Sequence, residues 1–213
     1  MRPSGPAAIE GAPQVDGIEY VAVDVTDPEQ VQAAVDTAAG AGVPLRTVVN
    51  CAGIGPSMRI LGKKGPHDLG LYAKIIQVNL IGSFNVLTLA AEKIAQTEAL
   101  EHGARGIIIN TASIAAWEGQ IGQTAYAASK GGVVQMTKAL ATAWAPDNIQ
   151  VNAILPGWID SLPATEERRS SVPMARYGTS DEIAATVAFL CSEGAGYITG
   201  QSIRIDGGLM RSV

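Results

Sequence analysis

Short apolar runs rich in β-branched residues alternate with amphipathic segments along this chain, and this alternation limits the folds that it can adopt. The runs predict strands, which we place over residues 18–24, 45–50, 106–110, 149–155 and 202–205. The run at 106–110 is almost entirely apolar, as is typical of a strand covered on both faces. Strands that alternate with helices form a parallel sheet between helix layers, so we predict the α/β class with a doubly wound parallel sheet.

The segments between these strands carry the signals of helices. Apolar residues at helical spacing predict helices over residues 28–39, 67–96, 123–144 and 181–191. Asp24, Thr26 and Asp27 are candidate caps of the first helix, and Pro28 is favoured in its first turn. We expect Ser180 to cap the last helix. Residues 1–17, 56–66 and 158–180 are expected to be loops.

Composition and charge exclude several classes of protein. The net charge is −5 and the basic residues are not clustered, so we expect no nucleic-acid partner. The chain has no run of roughly 18 apolar residues and its first residues lack the apolar core of a secretory signal, so we expect no membrane partner and a cytoplasmic location. Cys51 and Cys191 make neither a disulfide framework nor a metal site, and no metal is expected. Residues 1–213 are predicted to form one domain.

Ser113, Tyr126 and Lys130 form the candidate catalytic group. Tyr126 and Lys130 have the i, i+4 spacing that places two side chains on one face of a helix. A positive charge beside a phenol lowers the pKa of the tyrosine, which lets it exchange a proton with an alcohol or a carbonyl oxygen. Ser113 follows the strand at 106–110, and its hydroxyl can hold the same oxygen. A Tyr–Lys pair alone is common on solvated helix faces, and the serine is what favours chemistry here.

A set of motifs extends this group over most of the chain. In chain order they are NCAG (50–53), Asn79 within VNLIGSF, Ser113 within NTASIAA, YAASK (126–130), VNA (151–153) with Pro156-Gly157, and Gly200 with DGG (206–208). On these motifs the chain resembles the short-chain dehydrogenase/reductase family over residues 18–208. The resemblance implies a Rossmann-like fold and an NAD(P)-dependent oxidoreductase that interconverts a secondary alcohol and a ketone, with a small molecule as substrate.

The resemblance also implies a role for each motif residue. Tyr126 would exchange the proton, Lys130 would lower its pKa and hold the nicotinamide ribose, and Ser113 would orient the substrate oxygen. Asn79 would hold a water that connects Lys130 to solvent. The other residues implied to contact the cofactor, NAD or NADP, are Asp24, Val25, Asn50, Ala52, Gly53, Pro156, Gly157 and Ile159.

Two further residues are candidate substrate contacts because of their positions. Gln123 precedes Tyr126 on the same predicted helix, and Trp158 directly follows Pro156-Gly157. Packing is the alternative interpretation of both side chains.

The resemblance leaves the substrate open. Residues 44–130 look most like 3-hydroxyacyl-CoA and hydroxysteroid dehydrogenases, whereas the later segments look more like sugar-acid and ketoacyl reductases. The preference for NAD or NADP is not readable from the sequence. The family further implies a homo-oligomer, a dimer or a tetramer, built through the two long helices and the last strand.

Two features depart from the family. The glycine-rich turn TGxxxGxG, which binds the pyrophosphate of the cofactor, is absent, so we expect an N-terminally truncated fold that lacks the first βαβ portion. The strands at 18–24 and 45–50 should then close up directly, or the chain is a piece of a longer protein. The lid after Asp160, residues 161–172, is short.

These departures leave two alternatives to an active enzyme. The chain is then either a catalytically inert or truncated family member that acts as a scaffold or oligomer partner, or one part of a split enzyme that another chain completes.

Overall fold

A four-stranded parallel sheet forms the centre of the structure, a computed structural model that describes residues 15–63 and 65–210. Its strands, in both chain order and spatial order, are β1 (Thr47–Asn50), β2 (Gly106–Thr111), β3 (Ile149–Pro156) and β4 (Ser202–Ile205). The parallel pairing confirms the predicted α/β class. It also brings the carboxyl ends of all four strands to one edge of the sheet.

Helices cover both faces of this sheet. They are α1 (Pro28–Ala39), α2 (Leu69–Ile76), α3 (Ser83–Ala95), α4 (Thr124–Trp144), α5 (Glu166–Ser171) and α6 (Ser180–Leu190). On one face α3 and α4 pack against Ile108 and Val151, and α1 packs against α3. On the other face Leu190 of α6 packs against Ile107 and Ile154. The central strands are therefore buried on both sides, as their apolar sequence predicts.

The strand predicted at residues 18–24 is wrong. This segment has no regular secondary structure, and Ile18 and Val21 are 54% and 50% exposed. A strand needs the hydrogen-bonding groups of a neighbour, and the described residues place no strand beside either this segment or the outer side of β1. The expectation that the two strands close up directly is therefore also wrong. The alternative, that the chain is a piece of a longer protein, stays a prediction.

The helix predicted at residues 67–96 is divided by a π-helical segment. Asp68 caps α2 by accepting a hydrogen bond from the Leu71 amide, and a π-helix over Gln77–Gly82 joins α2 to α3 without a break. Among the described residues one helical run, Leu69–Ala95, is long and apolar enough to cross a membrane by length and composition alone. A core helix passes the same test, and here the run packs against the sheet through Leu87 and Ile94.

Three smaller expectations also need correction. Thr179, rather than Ser180, caps α6, in a reciprocal capping box with Glu182. The segment expected to be a loop at 158–180 contains α5, which Thr165 caps. The segment expected to be a loop at 56–66 contains a short antiparallel pair, Leu61–Gly62 with Gly65–Pro66. Both α5 and the antiparallel pair are too short to produce a periodic sequence signal.

Candidate active site

The candidate site lies at the carboxyl edge of the sheet, where the first turns of α4 meet the ends of three strands. The segment at 50–55 follows β1, Ser113 follows β2, and the segment at 156–159 follows β3. Tyr126 and Lys130 lie in the first two turns of α4. The ends of parallel strands are where open α/β sheets bind ligands, so the fold brings the candidate residues to a suitable place.

Ser113, Tyr126 and Lys130 come together in the structure. The Ser113 side chain lies close enough to the Tyr126 phenol to favour a lower pKa of that phenol, and its hydroxyl oxygen accepts a hydrogen bond from the Ala115 amide. The Lys130 ammonium lies 5.6 Å from the centroid of the Tyr126 ring and donates a 2.7 Å hydrogen bond to the backbone oxygen of Thr111. A substrate oxygen placed beside Tyr126 would therefore have two hydrogen-bond partners, the Ser113 hydroxyl and the Tyr126 phenol.

The expected lowering of the Tyr126 pKa does not appear in this structure. Burial raises the pKa of Tyr126, and the nearby Ser113 side chain opposes this only in part. Burial also lowers the pKa of Lys130 to about 8. The electrostatic interaction with Cys51 favours a higher pKa, but it is the smaller effect. Removal of both groups from water favours their neutral forms, and this is the largest cause of both shifts.

Asn79 is fully buried within the π-helical segment. Its Oδ1 accepts a 2.8 Å hydrogen bond from the Ile54 amide, and its Nδ2 donates a 2.8 Å bond to the Ile54 backbone oxygen. A π-helical turn inside an α-helix is frequent at functional sites because it displaces backbone groups from the regular ladder. Asn79 thus connects the long helix to the turn that follows β1, and the water that the resemblance implies for it stays a prediction.

The turn after β1 passes very close to the candidate catalytic group. A Cβ atom on Gly53 would lie 3.3 Å from Asn79 Oδ1 and 3.5 Å from Lys130 Nζ. A Cβ atom on Gly55 would lie 3.2 Å from the Tyr126 ring. Both glycines therefore allow the backbone to approach these side chains closely, and Ala52 and Gly53 remain exposed at the sheet edge.

Asn50 points into the sheet in this structure. Its Nδ2 donates a 2.9 Å hydrogen bond to Asn110 Oδ1, and Asn110 Nδ2 donates a 3.0 Å bond to Thr137 Oγ1. The Asn50 side chain is therefore occupied by packing the strands together, and its contact with a cofactor would come through its backbone.

Asp24 and Val25 lie before α1. Oδ1 of Asp24 accepts hydrogen bonds of 2.9 and 2.8 Å from the amide and hydroxyl of Thr26, whereas Asp27 caps the helix. Val25 is buried, and its backbone oxygen accepts a 3.1 Å bond from Asn85 Nδ2. Asp24 is thus not the helix cap, and Val25 holds the irregular segment against the long helix.

The segment after β3 is fixed by the end of β4. A Cβ atom on Gly157 would lie 2.9 Å from Cα of Asp206, so only glycine fits there without a shift of the backbone. Ile159 is buried and bridges to Gly178. The Pro156 side chain is half-buried beside them.

The two candidate substrate contacts have different surroundings. The Arg168 guanidinium of α5 lies 4.5 Å from the centroid of the Trp158 ring, so the short lid packs on this side chain. Gln123 occupies the position before α4 and makes no capping hydrogen bond through its side chain. The sequence reasoning missed Arg168, because a contact between a helix and a loop ten residues away leaves no periodic signal.

The residues present fit the nicotinamide–ribose end of a dinucleotide. The structure gives the Lys130 ammonium one backbone acceptor, Thr111, although an ammonium group can donate three hydrogen bonds. Beside it lies the exposed backbone of Ala52 and Gly53, where a side chain on Gly53 would fill the space. A ribose hydroxyl is a suitable acceptor for the remaining donors.

Comparison with known proteins gives consistent matches over this whole arrangement. A family model described as enoyl-(acyl carrier protein) reductase matches residues 6–210. The 3-hydroxyacyl-CoA dehydrogenase type-2 of Bos taurus is 40% identical over 200 residues, which cover 89% of this chain and 76% of that protein. The solved 3-hydroxyacyl-CoA dehydrogenase type-2 of Mycobacterium avium is 40% identical, with a TM-score of 0.83 over 91% of this chain and 78% of that one.

A further solved structure, ElxO with NADP bound, is 28% identical, with a TM-score of 0.81 over 90% of this chain and 78% of that one. Together with the parallel sheet, these matches confirm the Rossmann-like arrangement that the resemblance implies.

Proposed function

Since the chain belongs to the short-chain dehydrogenase/reductase family, we propose that it interconverts a 3-hydroxyacyl thioester and the corresponding 3-oxoacyl thioester. Family membership makes it an oxidoreductase that uses NAD or NADP. The observation that carries the proposal is the convergence of Ser113, Tyr126 and Lys130 at the carboxyl edge of the sheet. A hydroxysteroid is the second candidate substrate.

The chemistry needs one hydride and one proton. Lys130 and the backbone of Ala52 and Gly53 would hold the nicotinamide ribose, and the nicotinamide would supply the hydride for reduction or accept it for oxidation. Tyr126 gives a proton to the carbonyl oxygen as the alcohol forms, while the Ser113 hydroxyl holds that oxygen. A phenol is protonated at neutral pH, so Tyr126 has a proton to give, whereas burial raises its pKa and makes that proton harder to release.

A groove beside the first turn of α4 supports an acyl substrate. Its volume is about 430 Å³, and it is lined by Arg59, Ile60, Leu61, Gln120, Ile121, Gly122 and Thr124. Three aliphatic side chains, Ile60, Leu61 and Ile121, form part of its wall, and Arg59 adds one positive charge. Such a lining suits an apolar chain that carries an anionic group, as an acyl-CoA does.

Replacement of the candidate proton donor tests the proposal. Tyr126→Phe removes the phenol hydroxyl, so we expect turnover of acetoacetyl-CoA with NADH or NADPH to fall by at least about a hundredfold. Binding of the cofactor, measured by fluorescence titration, should remain. Tyr197→Phe is the matched control, because Tyr197 is fully exposed. Retained turnover in Tyr126→Phe would exclude the proposed mechanism, and turnover of a 3-hydroxysteroid alone would favour the second candidate.

An inert scaffold or oligomer partner is the alternative function. The observation that favours it is the absence of TGxxxGxG from the sequence, together with the side of β1 on which the described part of the chain places no strand. Isothermal calorimetry distinguishes the two functions, since a scaffold would bind neither NAD(H) nor NADP(H) at millimolar concentration. Activity that appears only after another chain is added would instead indicate a split enzyme.

The proposal includes a homo-oligomer, a cytoplasmic location and a small-molecule substrate. Exposed apolar side chains on the first of the two long helices expected at the interface support self-association, namely Ile81 and Phe84. A dimer or a tetramer would cover them.

A further inference from the structure

Ser129 is a fully buried residue between Tyr126 and Lys130 on α4. Its hydroxyl donates a 2.7 Å hydrogen bond to the backbone oxygen of Tyr126. It accepts a 3.0 Å bond from Nδ2 of Asn79, which lies in the π-helical segment of the facing helix. A serine hydroxyl has a single hydrogen, so the bond to Tyr126 leaves its oxygen as the acceptor for Asn79.

The Asn79 amide has only one orientation that satisfies its neighbours. Its Oδ1 accepts from the Ile54 amide and its Nδ2 donates to the Ile54 oxygen, so the opposite orientation would lose both bonds. The second hydrogen of Nδ2 then points to Ser129. Without the Ser129 hydroxyl, this buried donor has no acceptor in the described surroundings, which is unfavourable in an interior that excludes water.

The Ile54 peptide group that Asn79 holds lies between two glycines of the site. Gly53 lies against Lys130 Nζ and Gly55 lies against the Tyr126 ring. A displacement of the Ile54 peptide therefore changes the surroundings of both catalytic side chains. The helices also approach closely here, since a Cβ atom on Gly132 would lie 2.8 Å from Leu80.

We propose that Ser129 is a positioning residue whose hydroxyl fixes the Asn79 amide and, through it, the turn at Ile54 against Tyr126 and Lys130. Ser129 touches no reacting atom, so its effect on turnover passes through Asn79. The inference rests on the proposed function for its kinetic consequence, whereas its structural consequence can be measured without any reaction.

Hydrogen exchange at the Ile54 amide measures the structural consequence. In Ser129→Ala we expect this amide to exchange at least about tenfold faster, because the Asn79 oxygen that protects it is no longer fixed. Thr137→Val is the matched control. Thr137 is buried on the same helix, and its hydroxyl donates to the Val133 backbone oxygen and accepts from Asn110 Nδ2. Its replacement by valine therefore also removes one donated and one accepted hydrogen bond, but neither bond involves Asn79 or Ile54. Exchange at Ile54 that is unchanged in Ser129→Ala, or equally fast in Thr137→Val, would overturn the proposal.

A double-mutant cycle measures the kinetic consequence. We expect Ser129→Ala to lower kcat for acetoacetyl-CoA reduction by about tenfold to a hundredfold, with KM changed less than about threefold. In the Asn79→Ala background the same replacement should change kcat less than about twofold, since Ser129 then has nothing to position. An equal loss in both backgrounds would show that Ser129 acts independently of Asn79 and would overturn the proposal.

Two controls keep the outcomes distinct. If Ser129→Ala does not fold, Ser129→Cys has a similar size with a much weaker hydrogen-bonding group, and it is compared in the same way. If the unmodified protein does not turn over any acyl thioester, the proposed function fails. Exchange at Ile54 then still decides whether Ser129 fixes the turn.

Discussion

Lys130 carries an ammonium group into a site where only 4% of the residue is exposed. Burial lowers its pKa from 10.5 to about 8, so the folded protein holds this charge less favourably than the unfolded chain does. The difference corresponds to roughly 3 kcal/mol of stability at neutral pH, at about 1.4 kcal/mol for each pKa unit. The residue proposed to act in catalysis therefore destabilises the fold that carries it.

Lys130→Met should accordingly abolish turnover and raise the melting temperature at pH 7. The unfolded chain binds more protons than the folded protein between pH 8 and 10.5, so the stability of the unmodified protein rises in this range. The free energy of unfolding of Lys130→Met should thus exceed that of the unmodified protein by about 3 kcal/mol at pH 7. This difference should fall towards zero as the pH rises through this range. Urea unfolding at several pH values measures it.

Lys138→Met is the control for that experiment. Lys138 lies on the same helix and stacks on Trp117 at 5.5 Å, but it is exposed. Its replacement should leave the pH dependence unchanged. A Lys130→Met variant that is less stable than the unmodified protein at pH 7 would mean that the bond to Thr111 outweighs the burial of the charge.

Residue spacing predicted part of the candidate site but not its electrostatics. The i, i+4 relation of Tyr126 and Lys130 depends on one helix, so the sequence alone places them on one face. The sign of the Tyr126 pKa shift depends on how much of the surrounding chain excludes water, which spacing does not report. Ser129 was visible within the motif, but its partner Asn79 is distant in the chain and only the fold brings them together.

The elements that the sequence predicts well are those with local signals. Asp27 and Pro28 mark the start of α1, and its bounds agree with the prediction. The segment at 18–24 has the composition of a strand, but a strand forms only where a neighbour supplies hydrogen bonds. The π-helical segment Gln77–Gly82 has a helical sequence, and only contacts with other elements favour the wider turn.

Gly106, the first residue of β2, has no side chain and therefore allows the chain before β1 and helix α3 to approach it closely. A Cβ atom there would collide with the backbone oxygen of Arg46 and lie 2.7 Å from Ile94 Cγ2. We expect Gly106→Ala to reduce the free energy of unfolding by about 1–3 kcal/mol, measured by thermal or urea denaturation.

Gly119→Ala is the control, because nothing lies within 4 Å of a Cβ atom there. Its effect should stay within about 0.5 kcal/mol. Equal stability of the two variants would show that the Arg46 backbone moves easily to make room.

At the scale of the molecule, the described residues place no strand on one side of the sheet. β1 pairs with β2, and within residues 15–63 and 65–210 no strand lies on its other side. Val49 of β1 and the apolar side chains of the segment at 18–24 are partly exposed as a result. Unpaired edges of this kind pair readily with other strands, so this side of the molecule is where we expect any complementing segment to bind.

Self-association through the long helices gives a prediction at the same scale. Phe84 is 47% exposed on α3, and a dimer or tetramer built on this helix would bury it. We expect Phe84→Asp to shift the protein towards the monomer in sedimentation velocity, because a carboxylate is unfavourable in an apolar interface. Val43→Asp, in the exposed loop before β1, is the control and should leave the mass unchanged. An unaltered mass in Phe84→Asp would mean that any oligomer uses another surface.

The parallel pairing of the sheet also governs how the protein reaches its structure after synthesis. Each pair of neighbouring strands joins distant parts of the chain, as in Thr47 with Ile107, Gly106 with Ile149 and Ala153 with Ser202. No such pair can form through a tight local turn, so long loops must close first and folding is slow compared with that of a helical bundle. Because the candidate site draws on the ends of three strands, its residues come together only after these long-range pairs have formed. Until then its unpaired strands remain open to aggregation.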